Sequence, residues 1–184
     1  DNILKMWHSI EYVFKLMMKH NHNKQYKRVA MLRSDVMYLT PIKISSGKYS
    51  SNHNEQQQYF NDTTAIIPGF GRYPISDRLI YGPTAAVAPW ALHRFDHLEE
   101  HVAFMEQHHP GWTMHSERFV KFTLFPQVKQ GGKFQIIEHS TMCFVRARAD
   151  ESIWVTDCFI KADAHPQITE QLFNMSMDAD ELEG

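Results

Sequence analysis

Apolar residues recur at three- and four-residue spacing over the first twenty positions. Ile3, Met6, Trp7, Ile10, Val13, Phe14 and Met17 predict one amphipathic helix, with Asp1 or Asn2 as its cap and the polar "NHNKQYK" as its end. The pattern then changes. Val29 to Leu32 form a short unbroken apolar run, as in a strand covered on both faces. "TTAIIPGFG" and "SDRLIYG" are two more short apolar runs, and Pro83 follows where a first helical turn tolerates proline. A helix continues to about Gln107, with an interruption at Pro89 to Asp96. Leu92, Phe95, Leu98, Val102 and Met105 are its inward side. "HPGW" breaks it, and "SERFVKFTLF" is a shorter helix capped by Ser116.

The last third is strand-like: "KFQIIEHS", "TMCFVRAR" and "ESIWVTDCFI". Helices and strands alternate early and strands cluster late, so the class is α/β or α+β. The 184 residues suit one domain with a real core. Within it, residues 45–62 are rich in Ser, Asn, Gln and His and read as a mobile loop, either a functional lid or an unimportant insertion. Residues 175–184 form an acidic tail.

Composition narrows the function. A formal charge of -2 argues against nucleic acid as a partner, and twelve histidines make that charge sensitive to pH. No run approaches the roughly 20 apolar residues of a membrane span. Two cysteines exclude a disulfide-rich scaffold but allow one bridge. In a hairpin centred between Asp150 and Glu151, Cys143 and Cys158 are opposite one another, within bridging range. Two buried thiols are the plainer account.

Three clusters carry candidate chemistry. In "RVAMLRSDVMYLTPI", Arg33 and Asp35 are two positions apart at the carboxyl end of the first strand and share a face. Ligands bind at that end in open α/β sheets. The carboxylate suits Mg²⁺ or Mn²⁺ and the guanidinium suits phosphate, although the two can equally neutralise each other. In "SDRLIYG", Asp77 and Arg78 precede a strand that Gly82 closes. In "HSE", His115 and Glu117 flank a helix start, where Glu117 either answers the helix dipole or acts as a base. His93, His97 and His101 would line one face of a continuous helix, which suggests zinc. However, "HLEEH" lacks the general base of the metalloprotease motif, and a solvated edge explains the stripe as well.

These blocks occur in order over residues 2–158: the capped helix, "RVAMLRSDVMYLTPI", "AIIPGFGRYPISDRLIYGPTAAVAPW", "MHSERFVKFTL" and "MCFVRARAD". In that order the chain resembles nucleotide-sugar glycosyltransferases of the GT-A type, in a group with R-x-D in place of the usual D-x-D. The resemblance implies a Rossmann-like mixed sheet flanked by helices, with a strand-rich C-terminal part. It also implies transfer of a sugar from a nucleotide diphosphate donor to a hydroxyl of a glycan or other acceptor. Asp35 would hold Mn²⁺ or Mg²⁺ on the diphosphate. Arg33 replaces the first aspartate and could neutralise the diphosphate itself. Asp77 would contact the sugar or acceptor, with Arg78 and His115 nearby, and Glu117 would deprotonate the acceptor hydroxyl. Arg146 and Arg148 would close the acceptor side. By the same comparison, residues 1–184 correspond to the C-terminal two-thirds of such a catalytic domain, without the strands that hold the base and ribose. A Golgi lumen location would fit a eukaryotic enzyme and cytoplasm a microbial or viral one. The rival readings are a non-catalytic binding or assembly module on a degenerate transferase fold, and a His-rich metal-binding protein.

Overall fold

The computed structural model of the protein describes residues 2–20, 25–40, 42, 44, 62–69, 73–130, 133–139, 142–147 and 153–154. The expected loop at 45–62 (save Asp62), the acidic tail, Arg148 and Cys158 lie outside them.

The chain opens with helix α1 (Asn2–Lys19), followed by strands β1 (Arg28–Met31), β2 (Val36–Tyr38), β3 (Thr64–Pro68) and β4 (Ile80–Pro83). Helices α2 (Thr84–Leu92) and α3 (Leu98–His108) come next. A helical run then comprises α4 (Ser116–Phe119), a π-helical turn (Val120–Leu124) and α5 (Phe125–Lys129). Strands β5 (Gln135–His139), β6 (Phe144–Ala147) and β7 (Ile153–Trp154) complete the described elements. The result is a mixed α/β fold.

Two sheets form. The first has the order β1-β4-β3-β5, in which β4 runs antiparallel to both neighbours and β5 pairs parallel with β3. The second is β2-β6-β7, antiparallel throughout. The late strands therefore do not form one unit, because β5 joins the first sheet and β6 and β7 join the second.

Alternation along the strands divides the core in two. Ala65, Ile67 and Ile80 face a cluster with Trp7, Phe14, Trp90, Phe119 and Leu124 from the helices. Ile66, Leu79 and Tyr81 point the other way, onto Met142 and Phe144 of the second sheet's layer. Strand β3 is buried along its whole length, as a central strand between two layers should be. Strand β1 is only half-buried, since it pairs with β4 alone among the described residues.

Helix α1 turns Trp7 and Phe14 into the core, with Ile3, Met6, Ile10 and Met17 partly covered. Val13, expected inside, is exposed, because one helix face cannot turn every apolar residue of a wide stripe inward. Phe95 and Val102 are likewise exposed. The segment 93–97 breaks the helix between α2 and α3, so the inward stripe changes phase there. Gly82 lies inside β4 rather than at its end. A Cβ there would come within 2.8 Å of the Ala65 Cα on β3, so the close approach of the two strands requires glycine.

Trp7 is the largest fully buried side chain among the described residues. Its ring centroid is 4.4 Å from that of Phe119, and its Nε1 donates to the Ser116 hydroxyl at 3.2 Å. Trp7→Ala is expected to cost about 3–5 kcal/mol of unfolding free energy, the usual range for emptying a buried aromatic site. Denaturant titration measures it, and a loss under about 1 kcal/mol would contradict the placement of Trp7 at the centre of the core.

Cys143 is disulfide-bonded, so the simpler expectation of a buried thiol is overturned. Cys158 is the one other cysteine of the sequence. The β6–β7 register pairs Arg146 with Trp154, one residue away from the register expected from the sequence. "ADES" has no glycine to pin a tight turn, so the register is not set locally.

Candidate functional site at the β1–β4 edge

Strand pairing brings the candidate residues together. Met31 at the end of β1 pairs with Ile80 at the start of β4. Arg33 and Asp35 therefore leave the sheet at the same edge where Asp77 and Arg78 enter it. Strand β2 continues from Asp35 and pairs with β6, which sets Arg146 opposite Val36 and beside this edge. The start of α4 adds His115 and Glu117 through a hydrogen bond from the Ser116 hydroxyl to Asp77 Oδ2.

Arg33 and Asp35 form a two-pronged pair. Nε donates to Oδ1 at 2.7 Å and Nη2 to Oδ2 at 2.5 Å. This bond chiefly holds the Asp35 carboxyl below its usual range and lifts the Arg33 guanidinium above its own. Asp77 also acts on Arg33, and Arg146 on Asp35. The pair is partly open to solvent.

Glu117 is more enclosed. Burial, and then the charge of Asp77, push its carboxyl upward, while His115 and Arg78 oppose the shift. His115 Nδ1 lies 2.6 Å from Glu117 Oε2. The His115 ring rests against Tyr73 at 4.6 Å, and Tyr73 in turn accepts from Arg118 Nη2 at 2.6 Å. The Arg118 guanidinium stacks over both Tyr73 and Trp112, at 4.7 and 4.0 Å from their ring centres.

Ser116 departs from expectation. It is the first residue of α4 and not its cap, because its side chain is committed to Asp77. Behind it lies Arg94, fully buried and stacked 4.3 Å over Trp90. Arg94 Nε donates to the Trp90 carbonyl at 3.0 Å, and Nη1 makes a long contact of 3.5 Å to Ser116 Oγ. Burial brings the Arg94 guanidinium down to about 10, with Asp77 acting the other way, so it stays charged at neutral pH. The sequence reading did not single out Arg94, Trp7 or Ser116 as parts of the site. The available signal was Arg94 itself, one charge four residues after Trp90 in the apolar stretch "AVAPWALHRF".

The histidine stripe does not survive as one face. His97 sits in the break before α3, 2.8 Å from Glu100, and its ring stacks on His93 at 6.0 Å. His101 is fully buried, with Nδ1 2.8 Å from the Thr123 hydroxyl of the π-helical turn, so it belongs to no solvated edge. Among the described residues, no three His, Cys, Asp or Glu side chains are grouped to hold a metal ion. A cavity of about 440 Å³ near α5 is lined by Ile67, Ile75, Phe125 and Glu138 and contains none of the candidate residues.

Burial lowers the His101 pKa. The unfolded chain takes this proton near pH 6.5, and the folded chain resists it until a lower pH. Below about pH 6.5 the unfolded state therefore binds more protons, and stability falls as pH drops toward the folded value. Chemical unfolding at pH 7.5 and 5.5 should show a steeper loss for the wild type than for His101→Gln. Equal losses would contradict the buried neutral imidazole.

Comparison with known protein families, with curated proteins and with solved structures finds no match to this chain.

Proposed function

We propose that this protein is a nucleotide-sugar glycosyltransferase with a GT-A-like fold, transferring sugar from a nucleotide diphosphate to an acceptor hydroxyl. The observation that carries this reading is convergence. Arg33, Asp35, Asp77, Arg78, His115, Glu117 and Arg146 come from four separate segments, and their charges act on one another at one edge of the mixed sheet. A self-neutralising surface pair would not need those other segments.

The roles follow from chemistry. Arg33 offers paired donors in the geometry that a phosphate accepts, and the diphosphate would compete with Asp35 for them. Asp35, once relieved of that pairing, fits a divalent cation shared with phosphate oxygens. Mg²⁺ is commonly held by one or two carboxylates plus substrate phosphates, so a single carboxylate suffices. Mn²⁺ or Mg²⁺ bound there supplies charge stabilisation to the departing diphosphate. Asp77 accepts a hydrogen bond from the sugar or acceptor. Glu117, its pKa raised by burial, suits a base that takes the proton of the acceptor hydroxyl. Arg78 and Arg146 add positive charge for the anionic donor.

The closed Arg33–Asp35 pair favours one second reading, a non-catalytic module in which the two charges serve only each other. Calorimetric titration with UDP and GDP in the presence of MnCl₂ separates the two. Transferase chemistry predicts binding that weakens about tenfold or more in Arg33→Ala, the usual consequence of losing hydrogen bonds to a charged group. Equal affinity in wild type and variant would remove Arg33 from the donor site.

A further inference from the structure

The Ser116 hydroxyl has one proton to give and two lone pairs to receive with. Both acceptor directions face groups that can only donate: the indole N–H of Trp7 at 3.2 Å and the Arg94 guanidinium at 3.5 Å. The single proton is thus directed to Asp77 Oδ2. Asp77 is 8% exposed, and its other oxygen has no hydrogen-bond partner in the protein among the described residues. The charge of Asp77 also acts on Arg33 from the β1 end and on Glu117 from α4.

Arg94 is an expensive component. It is fully buried, and its Nη2 has no hydrogen-bond partner among the described residues. A methionine would fill similar space without the cost of desolvating a charge. Packing alone therefore gives no reason for a guanidinium at this position. It packs against two tryptophan rings, bonds the Trp90 carbonyl and contacts Ser116, and the carboxylate whose charge acts on it is Asp77.

We propose that Arg94 and Ser116 are positioning residues that hold Asp77 as an obligate hydrogen-bond acceptor, so that its outer oxygen reads a hydroxyl of the donor's sugar. The inference rests on the transferase reading and adds the residues behind it. Arg94 supplies the buried positive field, Ser116 fixes one carboxylate oxygen, and the other is left to a ligand that must donate. A hydroxyl of a sugar meets that requirement, whereas a phosphate oxygen does not.

The test measures the affinity gained from the sugar, comparing UDP with UDP-sugars and GDP with GDP-sugars by calorimetry with MnCl₂. In Arg94→Met and Ser116→Ala this gain should fall about tenfold or more, while affinity for the bare nucleoside diphosphate stays as in wild type. Ser116→Thr, which keeps the hydroxyl, should retain the gain. Arg94→Met should be less stable to heat, because it leaves the Asp77 carboxylate without its buried counter-charge and the Trp90 carbonyl without the Arg94 Nε donor. Binding is therefore measured below its melting temperature. A loss confined to the sugar gain, with the bare nucleoside diphosphate still bound as in wild type, is what a merely structural role would not give. If Arg94→Met fails to fold, Arg94→Lys, which keeps the positive charge, decides the role for Arg94. The role requires that this variant retain the sugar gain, and a lost gain in the folded variant overturns it. The Ser116→Ala and Ser116→Thr pair decides it for Ser116. An unchanged sugar gain in folded Ser116→Ala overturns the proposal and leaves the transferase reading intact. A wild-type protein that binds neither nucleoside diphosphate overturns both.

Discussion

Glu117→Gln is expected to lower sugar transfer by about 10²–10⁴-fold, the range for removing a general base, with donor affinity unchanged. Glutamine keeps the shape of the side chain and its reach from α4 but cannot take a proton from an acceptor hydroxyl. The environment of Glu117 supports the role. Burial and the Asp77 charge raise its pKa, and His115 Nδ1 lies 2.6 Å from the carboxylate. A base works when deprotonated, so activity should rise with pH through this elevated pKa. The acid limb of kcat/KM should therefore lie above the ordinary glutamate value of about 4.3, and it should disappear from the residual activity of Glu117→Gln. Steady-state rates measured across pH for both proteins check this. A variant that retains wild-type turnover would assign the proton to another group.

Much of this arrangement was legible in the chain because local patterns carried it. The three- and four-residue spacing of Met6, Trp7, Ile10 and Phe14 gave α1, and the apolar runs gave β1, β3 and β4. The spacing of Arg33 and Asp35 predicts a shared strand face, but β1 ends at Met31 and the two residues pair across the bend that leads into β2. What stayed hidden depended on contacts distant in sequence. Trp7 meets Ser116 across 109 positions, and no local pattern reveals that the serine serves Asp77 instead of capping its helix. Arg94 is one charge in an apolar stretch, with nothing local to say that it is fully buried with the rings of Trp7 and Trp90 against it. His101 fitted a continuous helical stripe only until the break at 93–97 separated α2 from α3 and turned it toward Thr123. The split of the late strands between two sheets depends on β5 pairing in parallel with β3, a choice that strand propensity does not encode.

The second large effect falls on Asp35. Asn at this position keeps the size and the possibility of one hydrogen bond from Arg33 but removes the charge that a divalent ion or the guanidinium answers to. Transfer should fall to background in Asp35→Asn. Arg33, with its two-pronged partner gone, should still bind nucleoside diphosphate, and more readily, because the phosphate no longer competes with a carboxylate. The variant thus separates binding from turnover, which a general loss of folding would not do.

The most direct measurement follows release of nucleoside diphosphate from a panel of nucleotide sugars, with MnCl₂ and hydroxyl acceptors present, for the wild type and Asp35→Asn side by side. The account predicts release by the wild type from at least one donor, dependent on acceptor, and none above background from the variant. Release at the same rate from both proteins, or from neither with any donor, would contradict it.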